Sequence, residues 1–325
     1  MALFFFISGY CYNDKYSDDI LLLVKKRLKT LYVPFLKYEL FLLLFHNVFV
    51  TINIYPPELR YSRAEYIANF IKNFCFISTE QLGGAFWFIV SLFIVNIMFA
   101  LISYVSNRVS KNNMESIRRV IVFLLFSLGN IISIHKFNIS TGYILYYFNT
   151  ITTSLVALLV YYMGYIYKQY EEKIPLNASL AIISIVFLYI NHRYGNISMG
   201  GNSYNDPAFF LISSICGIYI NLYISKFIAE RKLYITILEY IGKNTMVIIG
   251  FHFLAFKLVS LIKIKLYNLP IQELSKFPVI NQTRYWWVLY SLAGIILPIL
   301  LVYMLEKLKN VIVRARVSYV SNVNK

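Results

Sequence analysis

The chain of 325 residues is 59% hydrophobic and only 14% charged, against roughly 45–50% and about 25% in soluble domains. So little charge cannot cover a soluble surface, and a soluble globular domain is excluded. The formal net charge of +16 would suggest nucleic acid in a soluble protein; here it has a topological cause, and no nucleic-acid partner is expected.

Nine apolar segments follow one another at 1–12, 31–50, 86–105, 119–134, 144–167, 176–191, 208–227, 244–262 and 285–305. Segments 86–105 and 286–305 carry no charge, and each is about 30 Å long as a helix, enough to cross a hydrocarbon core. Backbone groups in lipid must be satisfied within the segment, so these are helices. The runs do not alternate apolar and polar residues as barrel strands do. The expected fold is all-α: a polytopic integral membrane bundle of about nine spans. A single membrane-embedded domain over 1–325 is expected, with 306–325 as a short cytoplasmic tail.

Alternate loops fall on opposite sides of the bilayer. One set holds twenty Lys and Arg residues and the other nine, with Lys37 and Lys257 inside spans. The positive-inside rule then predicts a multi-pass protein of the cell's inner (cytoplasmic) membrane with a cytoplasmic C-terminus. Attraction to anionic lipid is a secondary benefit, and the bilayer is the first expected partner.

The first segment, Met1 to Tyr12, is about 18 Å long as a helix, short of the core, and has no basic n-region. It reads as the cytoplasmic part of a span. Lys25-Lys26-Arg27 precede the next span, either as a topology anchor or as a docking surface for a phosphorylated cytosolic donor. Lys37 and Glu39 lie near the cytoplasmic end of 31–50, where long side chains snorkel to headgroups, and His46 lies where it faces interfacial water. The loop 51–84 has room for a short interfacial helix over Ala64–Ile77. Trp87 and the Trp286-Trp287 pair begin spans, as aromatic belts do.

Ile241-Gly242-Lys243-Asn244-Thr245 opens the span 244–262 with a helix N-terminus and a lysine, a combination that favours an anion. It lacks the upstream glycine of a P-loop. His252 stands among apolar neighbours, where a neutral imidazole suits a general base acting on a hydroxyl; the alternative is a histidine hydrogen-bonded between helices. Lys257, further along, is expected to snorkel outward. Cys11, Cys75 and Cys216 show no metal spacing and no disulfide framework, so no metal site is expected.

Leu3-Phe4-Phe5-Phe6-Ile7-Ser8-Gly9-Tyr10, followed by Lys26-Arg27 and Val33-Pro34-Phe35, resembles the second-span region of the acyltransferase 3 family, in its fucose 4-O-acetylase-like branch. Phe86-Trp87-Phe88, Tyr161-Tyr162-Met163-Gly164-Tyr165 and Ile241-Gly242-Lys243-Asn244-Thr245 with His252 resemble three further segments. The order holds from residue 3 to about 255. The resemblance implies ten spans, both ends cytoplasmic, and transfer of an acetyl group from acetyl-CoA to a hydroxyl of a cell-surface polysaccharide or glycolipid sugar. Acetyl-CoA is then a substrate, no cofactor stays bound, and a cell-envelope glycan is the acceptor.

By the same resemblance His252 is the candidate base, Ser8, Gly9, Trp87 and Asn244 line the acyl or acceptor site, and Lys25, Lys26, Arg27 and Lys243 meet the CoA phosphates. Members of the family carry in a first span the histidine that serves as their catalytic base, and often a second histidine just before the string at Leu3 to Tyr10, in a pattern like FHMPLFFFISGY. Met1-Ala2 occupy the places of its Met-Pro, so the expectation is a chain without that first span. A non-catalytic remnant, or a polytopic glycan transporter or flippase, are the alternatives.

Overall fold

The computed structural model describes residues 1–135, 142–193, 195, 197–204, 206–232, 235–281 and 284–323. In chain order the helices are α1 (Ala2–Tyr10), α2 (Lys15–Asp18), α3 (Ile20–Arg27), α4 (Val33–Leu44), α5 (His46–Thr51), α6 (Arg63–Phe74) and α7 (Trp87–Val109). They continue with α8 (Met114–His135), α9 (Tyr143–Tyr170), α10 (Ala178–Asn191), α11 (Pro207–Glu230), α12 (Ile235–Lys243), α13 (Thr245–Tyr267) and α14 (Trp286–Val323). Among the described residues the one extended pairing is an isolated antiparallel bridge, Ser198 with Ser203. The fold is the all-helical, polytopic one that the apolar runs require.

Among the described residues six helices are long and apolar enough to cross a bilayer: Trp87–Val109, Met114–His135, Ile144–Lys173, Pro207–Glu230, Thr245–Tyr267 and Trp286–Val311. Three expected spans differ. α1 has 9 residues and α10 has 14. The segment 31–50 is interrupted: a π-helical turn, Leu28–Tyr32, precedes it, and α4 gives way to α5 at Phe45. Pro34 accounts for the first irregularity, since its ring displaces the carbonyl one turn earlier and widening that turn relieves the clash. The residues read as a tail continue α14, which has 38 residues and is about 57 Å long.

Local signals set the boundaries. Asp19 caps α3, Asn177 caps α10, and Asp206 caps α11 with Pro207 in the first turn. Each side-chain oxygen takes a backbone N–H that the helix start leaves free.

The chain divides into two compact units. The first is Met1–Pro34 with Trp87–Leu233, and its core is α1, α7, α8 and α9. There α1 lies directly on α9: a Cβ added at Gly9 would overlap the Tyr161 carbonyl, and one added at Gly164 would overlap the Phe6 carbonyl. Only glycine lets backbones approach so closely. The second unit is Phe35–Phe86 with Tyr234–Lys325. In it α13 packs along α14, with the Ser260 and Tyr290 hydroxyls 3.0 Å apart. Phe35 fills the centre of its other half, edge-on to Phe76 and Phe86.

Candidate functional site

In the first unit Ser8 stands where α1 meets α7 and α9. The Asn96 amide reaches its hydroxyl at 3.4 Å, and the Tyr161 hydroxyl donates to Asn96 Oδ1 at 3.0 Å. Arg27 lies close enough to Tyr161 to interact with its hydroxyl, and the Arg27 Nε is buried without a partner. Ser8, Asn96, Tyr161 and Arg27 therefore form one polar cluster inside an apolar core. Gly9 contributes the close helix approach beside it.

The basic run of α3 is divided by its helix. Lys25 is exposed. Lys26 donates to the Tyr16 hydroxyl at 2.8 Å, and that ammonium lowers the Tyr16 hydroxyl below the usual tyrosine range. Arg27 turns inward. Lys25 and Lys26 thus stand apart from Arg27 on the surface of the helix.

Trp87 opens α7 beside a cavity of about 520 Å³. The start of α1 (Met1, Ala2, Leu3), the loop after α10 and one face of α11 also line it, with Ser198, Gly200, Ser213, Ser214 and Asn221 among the lining residues. Gly200 lies under the indole: a Cβ there would come within 2.8 Å of the ring. Asn202 fixes this loop. Its side-chain oxygen accepts from Thr153 and Tyr204, its amide donates to the Asn149 carbonyl, and its own carbonyl accepts from Ser133. Among the described residues no Asp, Glu, Lys or Arg side chain lines the cavity. Its volume lies in the roughly 300–1,000 Å³ range of small-molecule sites.

In the second unit α12 ends at Lys243 and α13 begins at Thr245. Lys243 is exposed and pairs loosely with Glu239 at 3.9 Å, while the Asn244 amide donates to the Tyr240 carbonyl. His252 is two turns further along α13 and half-buried between Phe253 and Phe256. Its Nδ1 lies 3.0 Å from both the Ile248 and Ile249 carbonyls. Carbonyls accept, so Nδ1 carries the proton and Nε2 keeps its lone pair. That is the tautomer a proton acceptor needs.

A family model described as an acyltransferase domain matches residues 1–303. The chain belongs to the acyltransferase 3 family. No curated protein and no solved structure matches it. Family membership makes acyl transfer at the membrane the chemistry against which these residues are read. Ser8, Gly9, Lys25, Lys26, Arg27 and Trp87 belong to the first compact unit, and Lys243, Asn244 and His252 to the second.

The second unit also holds a buried polar cluster that the sequence does not reveal. The His46 Nδ1 is 2.7 Å from Glu80 Oε2, and its Nε2 is 2.7 Å from the Leu59 carbonyl. The ring stacks on Tyr61 with centroids 3.5 Å apart. Tyr55 donates to Glu80 as well, and burial raises the Tyr55 and Tyr61 hydroxyls above their usual range, with Glu80 adding to the effect. Glu39 accepts from the Ser78 hydroxyl and from the Thr79 and Glu80 backbone. The expectations for these residues are corrected: Glu39 does not snorkel and His46 does not face water, because both are buried against the loop 53–84.

Lys257 is corrected in the same way. It is buried and donates to the Leu274 and Lys276 carbonyls at 2.9 and 2.8 Å, while Lys263 reaches the Asn281 carbonyl. Both lysines clasp the loop 271–281. Arg118, counted among loop charges, is 1% exposed, bonds Glu115 at 3.0 Å and lies over the Phe99 and Tyr165 rings. Among the described residues no three His, Cys, Asp or Glu side chains converge where a metal ion would sit.

Proposed function

We propose that this acyltransferase moves an acetyl group from acetyl-CoA to a hydroxyl of a cell-surface sugar. The observation that carries the reading is the Trp87 cavity in a chain of this family. An indole offers a flat apolar face with an N–H at its edge, and a pyranose offers a flat C–H face with a rim of hydroxyls. The Ser213 and Ser214 hydroxyls, with no hydrogen bond among the described residues, supply the polar contacts that fix such a ring. The described lining side chains carry no formal charge, which suits a neutral sugar ring.

His252 is the base in this reading. Its Nε2 takes the proton as an acceptor hydroxyl attacks the thioester carbonyl. The C–S bond breaks, the CoA thiolate leaves, and the proton passes to that sulfur, giving the acetyl ester and free CoA. Exposed Lys25 and Lys26, on the first unit, meet the phosphates of the donor. Because basic loops favour the cytoplasmic face, the protein sits in the inner membrane with its C-terminus inside, and the cytosol supplies the donor.

The test is transfer of labelled acetyl from acetyl-CoA by the protein in liposomes, with a neutral envelope glycan as acceptor. The expected product is an alkali-labile sugar ester. Hydrolysis of acetyl-CoA without ester formation, or no turnover with any glycan offered, would overturn the reading.

A further inference from the structure

The amphipathic helix α6 is polar on its inner side and apolar on its outer side. Asn69 and Asn73 are 6% and 0% exposed, whereas Ile67, Phe70, Ile71 and Phe74 are 63%, 48%, 57% and 47% exposed. The four apolar residues recur at helical spacing and make one continuous stripe. On the inner face Lys72 donates to Asn69 within the helix at 2.6 Å, and Thr79 of the following loop donates to Asn73 at 3.0 Å. A helix in water buries the opposite face.

We propose that α6 lies in the headgroup–acyl boundary of the bilayer, with its apolar stripe in the lipid and a lipid acyl chain in the groove it forms with α4. That groove has a volume of about 400 Å³ and is lined by Leu40, Leu43, Leu44, Tyr66, Ile67 and Phe70. Nothing polar but the Tyr66 hydroxyl borders it, and that hydroxyl accepts from the Asn47 backbone at 3.2 Å.

Two further observations select lipid as the occupant. First, the stripe is continuous with the outward side of α4 and α5, where Leu44, Phe45 and Val48 are 72%, 38% and 51% exposed. These belong to a segment apolar enough to contact hydrocarbon, so one surface runs from that segment onto α6. Second, exposed Arg60 and Arg63 stand at the start of α6, where a helix lying in the interface presents cations to lipid phosphates. The segment 63–74 is then a part of the membrane-embedded body that never crosses the bilayer.

Spin labels distinguish the occupants. With Cys11, Cys75 and Cys216 replaced by Ser, single cysteines are placed at Leu44, Ile67, Phe70, Ile71 and Phe74, and at Glu58 as an exposed reference. The labelled protein is reconstituted in vesicles of mixed phosphatidylcholine and phosphatidylglycerol. Labels at the five apolar positions are expected to collide with oxygen and to be shielded several-fold from a water-soluble nickel chelate relative to position 58. Chelate collision equal to that at position 58 would overturn the proposal by placing the stripe in water. Shielding from both reagents would overturn it by placing a protein surface, such as a second copy of the chain, over the stripe. Each labelled side chain is exposed, and elution of the labelled variant with the parent protein checks its fold.

Discussion

Gly9 and Gly164 meet at one helix crossing, each lying against the carbonyl one turn before the other. The arrangement is symmetric, and both contacts leave no space for a side chain. Gly9→Val or Gly164→Val is expected to destabilise the protein by about 3 kcal/mol or more, at the upper end of overpacking costs. Gly242, where a Cβ would meet nothing within 4 Å, serves as the control. Thermal unfolding in detergent should fall sharply for the two valine variants and stay near the parent value for Gly242→Ala.

The buried pair of His46 and Glu80 gives a second expectation. Both ring nitrogens face acceptors, so a proton must lie between Nδ1 and the carboxylate whichever group formally holds it. Removing one partner strands the other away from water. Glu80→Ala or His46→Ala should cost about 3–5 kcal/mol. The double variant His46→Ala with Glu80→Ala should cost less than the two single losses combined, and strict additivity in this double-mutant cycle would show that the pair is not coupled.

His252→Gln removes the free Nε2 lone pair while keeping a hydrogen-bonding side chain of similar reach. The turnover number is expected to drop about 10²- to 10⁴-fold with an unchanged unfolding temperature. Full activity in the variant would place the base elsewhere.

Filling the Trp87 cavity separates acceptor from donor. Ser213→Leu should raise KM for the sugar about tenfold, the equivalent of one hydrogen bond of ~1.4 kcal/mol, and leave KM for acetyl-CoA unchanged. Equal changes for both substrates would remove this cavity from acceptor binding.

The start of α6 gives a pH expectation. Glu65 accepts from the Ser62 backbone and hydroxyl, which holds its carboxyl below the ordinary glutamate range. A depressed folded value means that the capping contribution is present above the unfolded value and is lost as pH falls through the folded one. A spin label at Ala64 should therefore gain mobility on acidification. Glu65→Gln keeps a capping box without a titrating group, and the label in that variant should not respond to pH.

The helical, membrane-crossing character was legible in the sequence because lipid leaves the backbone no other choice. The uncharged runs beginning at Phe86 and Trp286 became α7 and α14, and the short helix expected over Ala64–Ile77 appears as α6 over Arg63–Phe74. The π-helical turn before Pro34 was not legible, since a proline only signals that some adjustment must be made around it. The similar strings around Gly9 and Gly164 were visible, but only the packing shows that they are two sides of one contact. His46 and Glu80, or Trp87 and Ser213, are too far apart in the chain for spacing to join them. Lys257 read as a snorkelling cation because nothing in its neighbourhood announces that two carbonyls from another loop will receive it.

Lys257 and Lys263 hold the loop 271–281 through backbone carbonyls. Charge meeting a fixed dipole in a buried setting is screened very little by dissolved ions. Concentrated salt, which loosens exposed pairs such as Lys243 with Glu239, should leave this loop in place. The second unit therefore keeps the same fastening in dilute and in brackish surroundings.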